Sequence, residues 1–312
     1  MFQRLGKFTI TSLILVNFAW GAEIVAKGEP IALTPSGETY MEANWSPDGS
    51  HIAVVGDKYN GIYLIDVKTR MLNTLTQGIG AGHNFSWSPD GKTIAAHLFH
   101  YEGPWRLSQS VLLSLDGNSI SLNQESKQFK GYPKFSDSGD QVYIGTQENL
   151  HVYSLKTGEV SPAKNTASSA QRDISLYQDR MDNIIQKLAS VDEKIVYVEV
   201  SPTNTQIAYT TIGENLWIVD IEGTNRRYLG KGTNPKWSND GQWIACMTTE
   251  DDGHVFTQSD ILTYHVTSGD FTNLTTTEHS IEMNPEWSPD GNWIVYENDS
   301  DGRIWMLQVE RR

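Results

Sequence analysis

The sequence predicts an all-β fold, a six-bladed β-propeller of four-stranded blades, and three observations carry that expectation. One phrase recurs six times: "NWSPDGSHIAVV" from Asn44, "SWSPDGKTIAA" from Ser86, "KFSDSGDQVYIG" from Lys134, "EVSPTNTQIAYT" from Glu199, "KWSNDGQWIACM" from Lys236 and "EWSPDGNWIVYE" from Glu286. Measured at Trp45, Trp87, Phe135, Val200, Trp237 and Trp287, the copies lie 42, 48, 65, 37 and 50 residues apart, the spacing of units that bury their apolar faces only by stacking on neighbours. After the hairpin come two more strand-like runs, as in "GIYLIDVKTR" then "LNTLT" and "DILTYHVTSG" then "FTNLT", which describes four short strands per unit.

Taken in chain order, the first element is not part of the fold. Arg4 and Lys7 precede the 13-residue apolar run "FTITSLILVNFAW", and Ala19 and Gly21 supply small residues for cleavage. That is the layout of a signal peptide over residues 1–21, too short to span a bilayer, which takes about 20 apolar residues. Residues 22–312 form the propeller. The stretch "EPIALTP" at 29–35 has the look of the outer strands "LNTLT" and "FTNLT". It is expected to complete the last blade, which stops one strand short at "RIWMLQVERR", and so to leave no open edge. Each recurring phrase is a hairpin: proline sets the first corner, aspartate bonds nearby backbone, and glycine takes positive φ at the exit. In "SPTNT" Asn204 stands where the glycine would be, the next residue to tolerate that backbone. Between the third and fourth units, Ile174, Tyr177, Met181, Ile184, Ile185 and Leu188 recur at helical spacing, so a helical insertion is expected over about 165–190.

Composition excludes several classes. The formal net charge is -14, and loss of Arg4 and Lys7 with the signal peptide takes it to -16, which repels nucleic acid and anionic membrane surfaces at long range. No integral membrane segment is expected after signal cleavage. Cys246 is the only cysteine and lies in the apolar run "WIACM", the setting of a buried inert thiol. There is no glycine-rich phosphate loop, no "HExxH", no "GxSxG" and no cysteine pair, so no cofactor is expected.

The recurrent "WSPDG", followed by "xIxxx" and later by "IYLIDVKTR" or "LWIVDIEG", resembles the TolB-type propeller repeat over residues 29–312; the same unit is found in the propeller domains of prolyl oligopeptidase relatives. The resemblance implies a periplasmic or secreted protein. In TolB an α/β domain precedes a six-bladed propeller that docks a peptidoglycan-associated lipoprotein. Residues 22–43 leave no room for that domain ahead of the first hairpin, so the expectation is a free-standing propeller. Propellers of this kind serve as scaffolds, docks, gates and occasionally enzymes.

Two sets of residues are candidates for binding. Strand alternation turns the residue before each motif position away from the blade-to-blade packing. Those residues are Asn44, Ser86, Lys134, Glu199, Lys236 and Glu286, all polar, as a wet channel requires. The connection over 99–105 offers Phe99, Tyr101 and Trp105 as an exposed platform for a peptide or glycan. Neither catalytic nor metal-ligating residues are assigned. His83, His97 and His100 are read as loop histidines, the last two on opposite faces if the stretch is a strand. "EDDGHVF" at 250–256 and "NDSDGRIW" at 298–305 are read as turns, since neither supplies the distal glutamate of a calcium loop. The functional expectation is a non-catalytic scaffold for a protein or peptide partner in the cell envelope. The alternative is a carbohydrate- or peptide-processing enzyme with a metal or acid/base site at the channel mouth.

Overall fold

A computed structural model describes residues 23–128, 131–146, 149–162, 194–278 and 280–312. The expected signal peptide and the helix expected over 165–190 lie outside the described residues. What is described is all-β, in six antiparallel sheets that follow one another along the chain. Two short strands come first, β1 (Ile24–Ala26) and β2 (Ile31–Ala32). The first sheet is β3 (Tyr40–Trp45), β4 (His51–Gly56), β5 (Ile62–Asp66) and β6 (Leu72–Thr76). The second is β7 (Ser86–Trp87), β8 (Thr93–Glu102), β9 (Trp105–Ser114) and β10 (Ser119–Ser121). The third is β11 (Lys134–Phe135), β12 (Gln141–Thr146), β13 (Asn149–Ser154) and β14 (Val160–Pro162).

The fourth sheet is β15 (Ile195–Val200), β16 (Gln206–Thr211), β17 (Asn215–Asp220) and β18 (Arg227–Lys231). The fifth is β19 (Thr233–Trp237), β20 (Trp243–Asp251), β21 (Phe256–His265) and β22 (Phe271–Asn273). The sixth has β23 (Glu282–Trp287), β24 (Trp293–Asn298) and β25 (Arg303–Arg311). Its free edge is taken by the N-terminal strands: Ile31 and Ala32 lie opposite Met306 and Trp305, and Ile24 to Ala26 lie opposite Arg311 to Val309. The segment 29–35 thus pairs where the sequence placed it, and β1 adds a second tie that the sequence reading did not contain.

The recurring phrase folds through its serine as much as through its proline and glycine. In the first hairpin the Ser46 hydroxyl donates to Asp48 (2.6 Å) and accepts from the His51 amide (2.9 Å), while the Gly49 amide donates to the Ser46 carbonyl. Ser88 and Asp90, Ser238 and Asp240, and Ser288 and Asp290 repeat the same bonds. All six serines of the phrase are buried, so each hydroxyl satisfies groups that would otherwise be stranded away from water. Asn204 takes φ +56, as the missing glycine requires.

Packing runs from sheet to sheet. Ala53, Ile62 and Leu64 of the first sheet meet Ile94, Ala96, Val111 and Leu113 of the second. Ala95, Leu112 and Leu122 meet Val142, Ile144 and Tyr153 of the third. Fourth and fifth sheets share Ala208, Leu216, Ile218, Ile244 and Leu262; fifth and sixth share Trp243, Met247, Trp287 and Ile294. The sixth meets the first through Val295, Ile304 and Met306 against Trp45, Ile52 and Val54. The motif tryptophans add a polar link. The indole N–H of Trp87 donates to the Asn44 carbonyl (3.4 Å), that of Trp237 to Glu199 (3.2 Å) and that of Trp287 to Lys236 (3.1 Å), each to the first strand of the preceding sheet.

One expectation needs correcting. The stretch 99–105 is not a connection: β8 and β9 continue as a ladder to Glu102 opposite Trp105, leaving only Gly103 and Pro104 as the turn. The strands run on because alternating Ala96, Leu98 and His100 can pair with Val111, Gln109 and Leu107. His97 is therefore a core residue, 1% exposed, and not a loop histidine. Burial pushes its pKa down to about 4, with Arg106 adding to the effect. His100, on the other face as alternation requires, is exposed and pairs with Glu125. The acidic stretches at 250–256 and 298–305 do make turns: Asp252 accepts from the amides of His254 and Val255, and Asp301 from that of Arg303.

Candidate functional site

The first strands of the first, fifth and sixth sheets, the segment entering β7 and Glu297 of β24 converge on a cavity of about 340 Å³ lined by Glu42, Ala43, Asn44, Asn84, Phe85, Asn234, Lys236, Asn284, Glu286 and Glu297. Three of the six residues chosen from alternation, Asn44, Lys236 and Glu286, are in this lining. Glu199 lies close enough for its charge to act on Lys236 and Glu286. Ser86 spends its hydroxyl on the Pro133 carbonyl (3.2 Å), and Lys134 is exposed at the start of β11 and does not line the cavity.

The residues that complete the lining sit three before the motif position. Glu42, Asn84, Asn234 and Asn284 all take φ near +50, and the ladders of β3, β19 and β23 slip at these points. A bulge with a left-handed residue re-aims the strand, and asparagine is among the few side chains that tolerate that backbone. Glu42 is not one of them. Its amide donates to the Glu297 carboxylate (2.7 Å), and its own carboxylate accepts from the Tyr59 hydroxyl. Asn234 donates to the side chain of Asn284 (2.8 Å). The Lys236 ammonium stands 3.3 Å from Glu286, both side chains about 30% exposed.

Three carboxylates, Glu42, Glu199 and Glu286, thus act on one ammonium, and Glu297 lines the same cavity. Burial raises the pKa of Glu199 to about 7, with Lys236 opposing and Glu286 reinforcing. Burial likewise raises Glu297 to about 7, against the bond from the Glu42 amide. Glu42 and Glu286 are pushed up by burial too, the latter against the pull of Lys236. Burial works against the Lys236 charge, yet Glu286, Glu199 and Glu42 together push its pKa above the ordinary lysine value. Once all four glutamates ionise, the site carries an excess of negative charge in a partly desolvated space, where charges act more strongly than in bulk water. Among the described residues no group of three or more His, Cys, Asp or Glu side chains is arranged to hold a metal ion.

A second, smaller pocket of about 240 Å³ adjoins the cavity, lined by Lys58, Tyr59, Ile79, Gly80, His83, Phe99, Tyr101 and Arg106. Of the proposed aromatic platform, Phe99 is half-buried and forms part of this pocket, Tyr101 closes its rim, and Trp105 lies outside it beneath the Lys127 ammonium (3.5 Å to the ring). Two larger grooves, about 660 Å³ each, lie between the second and third sheets. Their linings gather no opposed charged groups. The Cys246 thiol is buried, and burial pushes its pKa up.

Antiparallel sheets of four or five strands that follow one another in series, four of them contributing to one polar cavity, have the architecture of a β-propeller. No family model matches the chain. Over 119 residues it is 30% identical to the uncharacterized protein Atu1656 of Agrobacterium fabrum, a match that covers 37% of this chain and 38% of the length of that relative. Among solved structures it is similar to TolB from Acinetobacter baumannii, 16% identical over 88% of this chain and 65% of that one at a TM-score of 0.41. It is similar also to oligogalacturonate lyase from Vibrio parahaemolyticus (10% identical, 88% and 79% covered, TM-score 0.42) and to the Cps50 (Swd1) β-propeller domain of Myceliophteria thermophila (11%, 90% and 100%, TM-score 0.47). All three scores are low, and the fold is carried by the strand pairings described above. No helix among the described residues is long and apolar enough to cross a membrane.

Proposed function

We propose that the chain is an exported, free-standing six-bladed propeller, closed by its N-terminal strands on the sixth blade, which binds a protein or peptide partner in the cell envelope without acting on it chemically. Export is supported by residues 1–21, and closure by the pairing of β1 and β2 with β25. The observation that carries the binding role is the cavity that Glu42, Glu286 and Glu297 line together with the Lys236 ammonium, where Glu199 adds a further carboxylate close enough to act on Lys236. Such a site attracts a positively charged group and repels an anionic one. The partner is therefore a peptide segment that presents a lysine or arginine to the channel.

Calorimetric titration tests this with two peptides, acetyl-Gly-Lys-Gly amide and its norleucine counterpart, which differ only in the ammonium. The lysine peptide binds tighter to the unaltered protein, and Glu286→Gln combined with Glu199→Gln removes the difference. Equal affinity for the two peptides in the unaltered protein overturns the reading. The enzymatic alternative keeps one specific support: two carboxyls with pKa values of about 7 suit proton transfer at neutral pH. Mass spectrometry of the same mixtures, with envelope glycans added, registers any turnover.

A further inference from the structure

The pocket beside the cavity has the opposite electrical character. Lys58 and Arg106 supply two cations to its lining, the first 3.4 Å from the Asp57 carboxylate, and the lining itself contains no carboxylate. The Arg106 guanidinium lies over the Phe99 ring, 4.4 Å from its centroid, and no carboxylate stands within ion-pair distance of it among the described residues. The walls are aromatic and mutually braced: the His83 ring meets Tyr59 edge-on at 4.8 Å and Tyr132 at 5.1 Å. His83 Nδ1 is buried with no hydrogen-bond partner among the described residues.

Pocket and cavity share a wall. Tyr59 and His83 line the pocket, and the same two side chains act on the Glu42 carboxylate of the cavity, Tyr59 through its hydroxyl and His83 through its charge. A stacked guanidinium keeps its in-plane N–H groups free for the two oxygens of a carboxylate. Negative and positive sites therefore lie side by side on a protein whose net charge is -14.

We infer that the pocket formed by Lys58, Tyr59, His83, Phe99 and Arg106 is a carboxylate subsite, so that the ligand is a dipolar peptide segment with an acidic residue next to the basic residue that enters the cavity. This rests on the channel reading above, and the test separates the two. Acetyl-Gly-Lys-Asp-Gly amide, its Lys-Asn analogue and its norleucine-Asp analogue are titrated into the unaltered protein, Arg106→Gln and Arg106→Lys. Arg106 is exposed, so both variants fold, and matching thermal midpoints check that they do.

The unaltered protein binds the Lys-Asp peptide about tenfold more tightly than Lys-Asn, the worth of a charge-assisted pair. Arg106→Gln abolishes that ratio and leaves the lysine-over-norleucine ratio intact, while Arg106→Lys retains part of it. A ratio of one for Asp over Asn in the unaltered protein, or a ratio unchanged in Arg106→Gln, overturns the subsite, and if lysine is still preferred over norleucine the channel reading survives. Loss of the lysine preference with an Arg106-dependent aspartate preference overturns the channel reading and leaves the subsite standing.

Discussion

At the scale of single residues, the cavity sets backbone strain against chemistry. Three of its four left-handed positions carry asparagine, and the fourth carries Glu42. A glutamate there costs on the order of 1 kcal/mol relative to a residue suited to that backbone. Its carboxylate lines the cavity and accepts from the Tyr59 hydroxyl, beside Glu297. Glu42→Asn should therefore stabilise the fold by up to about 1 kcal/mol in chemical denaturation and at the same time weaken binding of the lysine peptide. A variant that loses stability, or gains it with binding intact, would show that Glu42 is a structural residue. The serine of the recurring phrase teaches a different lesson: it reads as an ordinary turn residue, yet its buried hydroxyl bonds both an aspartate and an amide in four hairpins of the same design.

At the scale of elements, the contacts between neighbouring sheets are not equivalent. Trp287 and Trp237 each bond the preceding first strand, whereas the indole N–H of Trp45 is buried without a partner among the described residues. Trp287→Phe should cost about 1 kcal/mol more than Trp45→Phe, since only the former loses a hydrogen bond. Equal costs in parallel urea titrations would remove the indole link from the account. The N-terminal strands matter more. Ile24 and Leu33 are both buried, the first in the core between fifth and sixth sheets and the second in that between sixth and first. Each contributes roughly 1.5–3 kcal/mol by burial. Deleting residues 23–35 should therefore lower stability by several kcal/mol, and deleting 23–28 alone by about half as much. A midpoint within a degree or two of the full chain after the longer deletion would sink the closure proposal.

At the scale of the whole molecule, the buried glutamates set a pH dependence. Glu199 and Glu297 have pKa values of about 7 in the fold, against a reference value of 4.5. Between those two pH values the folded chain holds more protons than the unfolded one. Their contribution is thus fully present below pH 4.5 and is lost as pH rises through about 7. The effect amounts to at most about 3 kcal/mol for each group. The thermal midpoint should fall from pH 5 to 7.5, and Glu297→Gln should reduce the slope. A midpoint that is flat or rising over that range would mean the carboxyls are not perturbed as described. The turn aspartates work in the opposite sense at lower pH. Asp90, whose carboxyl is held below the usual value by the Ser88 hydroxyl, loses its contribution as pH falls through its own depressed pKa.

The sequence by itself determined the repeating unit, the short strands that follow each hairpin, the turn residues and the segment 29–35 that pairs with the last strand. The first three are local, since a period of two, a proline–glycine turn and a fixed repeat are written in neighbouring residues, whereas the pairing of 29–35 was legible from its likeness to the outer strands and the missing strand of the last unit. Alternation also reached Asn44, Lys236 and Glu286 at the cavity, and would extend two residues back to Glu42, Asn84, Asn234 and Asn284. Only the tertiary structure decided that those residues sit on left-handed bulges, that Glu297 from a second strand joins them, and that His97 lies in the core while His83 lines a pocket. Strand alternation says which way a side chain points. What it meets there depends on residues as much as 255 positions away, as the bond between the Glu42 amide and Glu297 shows.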